Sequence, residues 1–198
     1  MRFLAPLLAA VLVSCGGGER PENLLLVTLD TVRPDRLSFL GGRPGVSPSL
    51  DALAAGGTAF EDVWAPRGQT WPALASLLTG LPPLAHGVRE NGFALSPEVA
   101  TLAESFRYAG FRTGAFLSNA CEAWGAERFD LLACSRRPGE ADADQMRLQF
   151  TWDQRSVDGA LAWIDASPGP FLCWVHLYDA HKPFPTCLLY TSPSPRDS

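Results

Sequence analysis

Two carboxylates, a hydroxyl and two imidazoles lie next to apolar segments of this chain, where they could act together. Asp30 ends an uncharged apolar run, and Thr70 opens an apolar helical pattern. His176, Asp179 and His181 lie at the end of a later apolar run. A carboxylate can hold a divalent cation, and a hydroxyl at a helix N-terminus lies near free N–H groups that suit an anionic substrate. We therefore predict Asp30 as a metal ligand and Thr70 as a nucleophile that a metal could activate.

Each of these residues also has a structural interpretation. An Asp after a strand is often a turn former, and a Thr before a helix is usually an N-cap. The two histidines near the last apolar run could satisfy each other on a surface loop. His86, in Ala85-His86-Gly87-Val88, is a further candidate for the site or a simple turn residue.

Alternating strands and helices would position these residues. Apolar segments predict strands at 23–29, 58–65, 113–117 and 170–177. The first of them carries no charge and is predicted as a central strand buried on both faces. Helical spacing predicts helices at 48–55, 70–79, 97–109 and around 157–164, with 135–150 as a polar surface excursion. This alternation predicts an α/β fold with a mostly parallel sheet covered on both faces, and ligands bind at the carboxyl ends of such strands.

The N-terminus has the features of an export signal. Arg2 precedes an apolar run at 3–13, shorter than the roughly 20 residues needed to span a bilayer. The following Leu12-Val13-Ser14-Cys15 resembles the bacterial lipobox, in which the cysteine is lipidated after cleavage. We expect a signal peptide at 1–14, a lipidated tether at 15–22, and an exported bacterial lipoprotein, periplasmic or on the cell surface, anchored in the membrane through Cys15. The alternative is an ordinary signal peptide with a chance cysteine.

Net charge and cysteine content narrow the classes of function and partner. The formal net charge of −5 at pH 7 gives no reason to expect a nucleic-acid partner, because a phosphate-binding surface is normally basic. In an exported protein, Cys121 and Cys134 could form a disulfide or remain two buried thiols. Cys173 lies in an apolar strand pattern and is expected in the core. No Cys/His zinc spacing occurs.

Residues 186–198 do not continue the pattern of the preceding sequence. They have neither helical nor strand periodicity, and they resemble the translated adapter read-through that ends some environmental sequences. We therefore expect a non-native tail at 186–198 and exclude it from the catalytic domain expected at 23–185. The alternative is a natural disordered tail.

Several ordered segments together resemble the sulfatase family of the alkaline phosphatase superfamily, over roughly residues 22–185. The segments that carry the resemblance are Glu22–Asp35, Ser47–Ala54, Thr70–Gly80 with His86-Gly87-Val88, Glu104–Phe116 and Trp174–Phe184. It implies a three-layer α/β sandwich with a mostly parallel central sheet, present here in truncated form because family members are considerably longer. It also implies metal binding by Asp30, nucleophilic attack by Thr70, and contact of His181 with the substrate anion. Supporting roles near substrate or metal are implied for His86, His176 and Asp179.

The chain departs from the family pattern at several of these positions. Thr70 stands where sulfatases carry a Cys or Ser that is oxidised to formylglycine, and the methyl group on its Cβ argues against that aldehyde. Leu74 replaces an Arg, Thr31 replaces the second Asp of a ligand pair, and Ser118 and Ala120 replace a Lys and a His. Thr nucleophiles do occur in the related phosphodiesterases, phosphonate hydrolases and phosphoethanolamine or glycerol-phosphate transferases.

The resemblance leaves three functions open. The first is a metal-dependent hydrolase of sulfate or phosphate esters, acting on a sulfated or phosphorylated small molecule or glycan. The second is a phosphodiesterase or phosphoryl transferase with a Thr nucleophile, and the third is a catalytically inactive glycan-binding lipoprotein. The expected cofactor is Ca²⁺, with Mg²⁺, Zn²⁺ or Mn²⁺ as alternatives. In the family, the remaining metal ligands lie in the second half of the domain. We expect residues 23–185 to fold poorly alone, because their parallel sheet would have an unpaired edge.

Overall fold

Four strands of the described residues form one parallel sheet; three of them match predicted strands, and the fourth, Leu131–Cys134, was not predicted. The computed structural model describes residues 23–119, 121–135 and 145–181, in which the strands are β1 (Asn23–Leu29), β2 (Arg112–Leu117), β3 (Leu131–Cys134) and β4 (Phe171–Leu177). Their order across the sheet is β1-β4-β2-β3, and every neighbouring pair is parallel. The carboxyl ends of all four strands therefore meet at one edge of the sheet.

Five α-helices of the described residues connect and cover the strands. They are α1 (Pro48–Ala55), α2 (Thr70–Thr79), α3 (Pro83–His86), α4 (Leu102–Tyr108) and α5 (Gln145–Asp165). Short 3₁₀ turns occur at Pro34–Arg36, Ser38–Leu40, Cys121–Ala123 and Ala126–Arg128. In the described part of the chain, no helix is both long and apolar enough to cross a membrane.

Side chains of β4 alternate between two separate cores. Leu172 and Trp174 pack on the face that carries α2 and α4, together with Leu74, Ala75, Leu78 and Ala103. Phe171, Cys173 and Val175 pack on the opposite face, against Ala160, Trp163 and Ile164 of α5. This period of two is what a strand covered on both faces requires. The predicted three-layer α/β architecture with a parallel sheet is confirmed.

Strand β1 has the predicted bounds but not the predicted burial. It lies at the outer edge of the described sheet and pairs on one side with β4. Leu25 is 53% exposed and Val27 is 48% exposed, so the expectation of a strand buried on both faces is wrong for the described residues. An uncharged apolar composition shows that a strand can be buried. Whether it is buried depends on the strand order, which decides which elements lie beside it.

Three other predicted elements differ from the structure. Residues 58–65 form no strand, and every residue in that range is exposed, because no described strand lies beside them for pairing. The helix predicted at 97–109 begins only at Leu102, since Thr101 is its N-cap and forms a capping box with Glu104. In the predicted excursion at 135–150, residues 145–150 belong to α5, while 136–144 lie outside the described residues.

A disulfide joins Cys121 to Cys134, with the two Cα atoms 5.9 Å apart. It links the turn after β2 to the end of β3, so the first of the two alternatives for these cysteines is confirmed. Cys173 is a buried free thiol, as predicted, and burial raises its pKa to about 11. The predicted signal peptide at 1–14, the tether at 15–22 with Cys15, and the tail at 186–198 lie outside the described residues.

Candidate active site

The Thr70 hydroxyl and the Asp30 carboxylate meet at the carboxyl edge of the sheet. Asp30 follows β1 directly, and its backbone N–H donates to the carbonyl oxygen of Leu177 at 2.9 Å, which ties it to the end of β4. Thr70 is the first residue of α2, and its hydroxyl donates to Asp30 Oδ2 at 2.9 Å. The sequence pattern predicted both positions, and the structure brings the two side chains into contact.

The start of α2 is fixed by a side chain that sequence reasoning missed. Asn91 accepts a hydrogen bond from the backbone N–H of Trp71 through Oδ1 at 2.9 Å, which satisfies one of the free N–H groups of the first helical turn. Pro72 has no N–H to satisfy. Asn91 lies 20 residues after Trp71, so no local capping pattern points to it. It holds the helix end that carries Thr70.

His176 is almost fully buried and lies beside Asp30. Thr28 Oγ accepts a hydrogen bond from Trp174 Nε1 at 3.0 Å and lies 2.9 Å from His176 Nδ1. Its alternative acceptor, the Val175 carbonyl oxygen, is 3.4 Å away, so the geometry favours donation from Thr28 to Nδ1. The ring proton then lies on Nε2, which is 3.9 Å from Asp30 Oδ2 and has no hydrogen-bond partner among the described residues.

Burial sets the protonation of His176. Its side chain is 1% exposed, and this burial lowers its pKa from the ordinary value, because a charged imidazolium loses solvation there. The negative charges of Asp30 and Asp153 act in the opposite direction and are the smaller influences. The ring is therefore neutral near pH 7, and Nε2 donates or accepts according to which tautomer is present.

The turn after β4 is anchored by Asp153, a residue that we did not predict. Its carboxylate accepts hydrogen bonds from the backbone N–H of Tyr178 at 2.8 and 3.0 Å and from that of Asp179 at 2.8 Å. The sequence did carry a signal, because Asp153 falls four residues before Val157 and so lies in line with the apolar stripe of α5. A carboxylate on an apolar helix face needs a buried partner, and this turn supplies it.

Asp179 lies next to Asp153 rather than free in the cleft. Burial and the neighbouring Asp153 carboxylate raise the pKa of Asp179 to about 7, so Asp179 is partly protonated near neutral pH. His181 stacks on Tyr178 with ring centroids 4.2 Å apart, and its backbone N–H donates to the Tyr178 carbonyl oxygen. The turn thus presents His181 to the cleft while Asp179 belongs to its support.

His86 lies away from the other candidates. Its Nδ1 accepts a hydrogen bond from the backbone N–H of Val88 at 3.1 Å, which places the proton on Nε2, and Nε2 lies 2.9 Å from Ser76 Oγ. The side chain is 1% exposed, and burial lowers its pKa. Both ring nitrogens are occupied inside the packing of α2 and α3. The structure does not support the predicted contact of His86 with substrate.

The residues that depart from the family pattern lie at different distances from the site. Thr31 lines the cleft with φ +55°, a left-handed conformation uncommon for a residue other than glycine, and its hydroxyl donates to the Ala180 carbonyl oxygen at 2.9 Å. Leu74 also lines the cleft. Ser118 is buried away from it and donates to Ser156 Oγ at 3.1 Å. Ala120 lies outside the described residues.

One cleft of about 420 Å³ collects most of the predicted residues. Asp30, Thr70, His176 and His181 all line it, while His86 and Asp179 do not. Arg67 and Asn91 also line the cleft and were not predicted. Arg67 precedes the helix that starts at Thr70, in an exposed irregular segment without periodicity, so the sequence carries no signal for its role.

Two side chains of the cleft could contribute to a metal site. His176 Nε2 is a buried nitrogen without a partner and faces Asp30 Oδ2, and nitrogen and carboxylate oxygen together suit a divalent metal ion. In the other tautomer, with the ring proton on Nδ1, Nδ1–H would donate a hydrogen bond to Thr28 Oγ and leave Nε2 free for a metal. Within residues 23–119, 121–135 and 145–181, no group of three or more His, Cys, Asp or Glu side chains could hold a metal ion. Further ligands would therefore have to come from outside this part of the chain.

The chain is similar to known proteins of one family. The family model described as Sulfatase matches residues 22–196. Arylsulfatase A of Homo sapiens is 35% identical over 101 residues, which cover 48% of this chain and 20% of that protein. N-acetylglucosamine-6-O-sulfatase of Bacteroides thetaiotaomicron is 23% identical over 98% of this chain and 35% of that protein. The chain therefore spans about a third or less of the length of these curated relatives.

Solved structures show the same fold at low sequence identity. A phosphonate monoester hydrolase of Agrobacterium radiobacter superimposes with a TM-score of 0.66 and 20% identity, over 82% of this chain and 42% of that chain. A protein solved in complex with its substrate D-glucosamine-2-N,6-O-disulfate gives a TM-score of 0.67 and 17% identity, over 82% of this chain and 35% of that chain.

Proposed function

Since the chain belongs to the sulfatase family, we propose that it forms part of a metal-dependent hydrolase of sulfate or phosphate esters, with Thr70 as the nucleophile. The observation that carries this proposal is the hydrogen bond from the Thr70 hydroxyl to Asp30 Oδ2 at the start of α2. The chain covers only part of its relatives, so the activity of the whole protein is the subject of the proposal.

The proposed first step uses Thr70 and Asp30 together. The Thr70 oxygen bonds to the sulfur or phosphorus atom, and its proton passes to the Asp30 carboxylate, which already accepts that hydrogen bond. The bond from the central atom to the ester oxygen breaks, and that oxygen leaves with the electron pair and takes up a proton from solvent. A water molecule then hydrolyses the covalent intermediate, which releases sulfate or phosphate and restores the Thr70 hydroxyl.

Two residues of this chain would hold the metal ion. Asp30 would supply a carboxylate oxygen and His176 could supply Nε2, and a bound ion would lower the pKa of the Thr70 hydroxyl and offset negative charge on the transferred group. If only oxygen atoms bind the metal ion, Ca²⁺ is the expected ion, with Mg²⁺ as the alternative. Contact through His176 would favour Zn²⁺ or Mn²⁺ instead.

A second candidate activity follows from Thr70 itself. Its Cβ methyl argues against conversion to formylglycine, which leaves an ordinary hydroxyl as the attacking group. The candidate is therefore a phosphodiesterase or a phosphoryl transferase in which an acceptor alcohol replaces water in the second step. A third candidate is a protein that binds a sulfated or phosphorylated glycan without turnover. It is motivated by Thr31 and Leu74, neutral residues of the cleft that replace charged residues of the family.

The test compares turnover of an aryl sulfate, an aryl phosphate and a phosphodiester by the protein produced from its complete gene, with and without added metal. We expect turnover of at least one ester, and a loss of roughly a thousandfold or more in Thr70→Ala. Thr79→Ala is the matched control, because Thr79 ends the same helix and its hydroxyl bonds to the Ala75 carbonyl oxygen. Full activity in Thr70→Ala would remove Thr70 from the mechanism.

We also propose that the protein acts outside the cytoplasm as a lipoprotein anchored through Cys15. The Cys121–Cys134 disulfide supports an oxidising compartment, in which such bonds form and persist. The test is labelling with a fatty acid in a bacterial host, where wild-type protein should take up label in the membrane fraction and Cys15→Ser should not. Equal labelling of both would refute the anchor.

A further inference from the structure

Arg67 is the one Lys or Arg that lines the cleft among the described residues. The other side chains with charge or titratable groups along its wall are Asp30, His176 and His181. Asp30 is a carboxylate, and the imidazoles of His176 and His181, unlike a guanidinium, carry no permanent positive charge. A negatively charged ester entering this cleft therefore meets one fixed positive charge from the described part of the chain, that of Arg67.

The guanidinium of Arg67 is not used by the fold. Arg67 is exposed, and it makes no hydrogen bond or ion pair with another described residue. Arg128, by contrast, is 2% exposed and bonds to Glu104 and to two backbone carbonyl oxygens. An arginine that lines a cleft and bonds to no other described residue keeps its N–H donors available for a ligand.

The surroundings of Arg67 leave room for such a ligand. Gly68 follows it, also lines the cleft, and a Cβ added at Gly68 would meet no atom within 4 Å. The segment then leads through Gln69, the N-cap of α2, directly to Thr70. Arg67 thus enters the same cleft from the loop before the helix whose first residue is the proposed nucleophile.

From these observations we infer that Arg67 is the anion-recognising residue of the cleft. Its planar guanidinium presents paired N–H donors that match two oxygens of a sulfuryl or phosphoryl group. For its substrate, this role rests on the proposed reaction. There, Arg67 binds the oxygens of the transferred group that stay on the sulfur or phosphorus atom. It offsets the repulsion between that group and the Asp30 carboxylate. Anion binding itself does not require that turnover occurs.

The experiment measures binding of inorganic sulfate and of inorganic phosphate by isothermal titration calorimetry, with the protein produced from its complete gene. Wild-type protein should bind at least one of the two anions. Arg67→Gln should weaken that binding by roughly tenfold or more, because it removes a hydrogen-bonded positive charge. Arg67→Lys should give an intermediate Kd, since an ammonium restores the charge without the paired geometry.

Arg43→Gln is the matched control. Arg43 is exposed, its side chain makes no hydrogen bond or ion pair with another described residue, and it does not line the cleft, so the variant makes the same change in net charge elsewhere. Its Kd for the anion should equal that of the wild type. Equal weakening in Arg43→Gln and Arg67→Gln would overturn the inference, and so would unchanged binding in Arg67→Gln or no binding of either anion by the wild type.

Turnover measured on the same variants separates this inference from the proposed function. An ester hydrolysed in a Thr70-dependent manner, with anion binding unaffected by Arg67→Gln, would overturn the role of Arg67 and leave the proposed reaction standing. Anion binding that depends on Arg67 without turnover of any ester would support Arg67 and reject the reaction. Where both hold, Arg67→Gln should raise KM by roughly tenfold or more.

Discussion

The hydroxyl of Thr70 donates a 2.9 Å hydrogen bond to Asp30 Oδ2 across 40 residues of sequence. The contact joins the first residue of a helix to the residue that follows an edge strand. It orients the Thr70 hydroxyl and provides an acceptor for its proton in the same interaction. The position of Asp30 is fixed in turn by its own backbone N–H, which donates to Leu177 at the end of β4.

Replacing Asp30 by Asn should preserve the shape of this contact and remove its charge. We expect turnover to fall by roughly a hundredfold or more and the apparent metal affinity to weaken, because an amide neither accepts the proton nor binds a cation as strongly. The measurement is activity against metal concentration, together with metal content after dialysis. Asp62→Asn, an exposed acid outside the cleft, should behave as the wild type. Unaltered metal dependence in Asp30→Asn would exclude Asp30 as a ligand.

Asp153→Ala should loosen the turn that carries His181. The change leaves the backbone N–H groups of Tyr178 and Asp179 without their acceptor, at a cost of roughly 1–3 kcal/mol for each buried donor. We expect a lower melting temperature and a raised KM. Asp158→Ala provides the control, since Asp158 is exposed on the same helix and accepts a hydrogen bond only from Gln154. A KM equal to that of the wild type in Asp153→Ala would show that the turn does not contribute to substrate binding.

The raised pKa of Asp179 predicts a particular dependence of stability on pH. The folded protein keeps a proton on Asp179 up to about pH 7, whereas the unfolded chain releases it near the ordinary value of 3.8. The contribution of this group to stability is therefore fully present below pH 3.8 and is lost as the pH rises toward 7. Asp179→Asn mimics the neutral acid, so its melting temperature relative to the wild type should rise between pH 4.5 and pH 8. A constant offset over that range would contradict the assignment.

His176 should act on stability in the opposite direction. Burial lowers the pKa of His176 from the ordinary value of 6.5. Just below that pH, His176 is therefore protonated in the unfolded chain but not in the folded protein. The stability associated with a neutral His176 is present above pH 6.5 and is lost as the pH falls below it. His176→Gln should therefore lose less stability than the wild type between pH 7.5 and 5.5, as measured by thermal melting. Parallel melting curves for the two proteins across this range would show that His176 is not held neutral.

Removing the disulfide should destabilise the protein through the unfolded chain. Cys121 and Cys134 are 13 residues apart, and closing a loop of this size contributes about 3 kcal/mol. For a chain of this length, that change corresponds to a fall of roughly 6–12 °C in melting temperature. The double variant Cys121→Ser, Cys134→Ser should show this fall without reductant, and dithiothreitol should then have no further effect on it. A melting temperature equal to that of oxidised wild type would contradict the prediction.

Much of the fold followed from local patterns. The bounds of β1 and α2 agree with the predictions because an uncharged run ended by Asp30, and an apolar helical pattern ended by Gly80, are specified by neighbouring residues. Gly80 has φ +69° and so takes the left-handed position that closes the helix. The strand predicted at 58–65 was wrong for a related reason, since a strand needs a partner that its own sequence cannot provide.

The sequence by itself determined the types and order of the reactive groups: a carboxylate after the first strand, a hydroxyl at a helix start, and histidines after the last strand. It also determined the family, because several ordered motifs agree. Only the tertiary structure decided which of these groups meet. The parallel register of β1 and β4 sets Thr28 beside His176, 148 residues away, and so turns the imidazole toward Asp30. The same packing removes His86 from the cleft and brings Arg67 into it. These outcomes depend on contacts between distant segments, whereas the sequence pattern records only what each segment prefers locally.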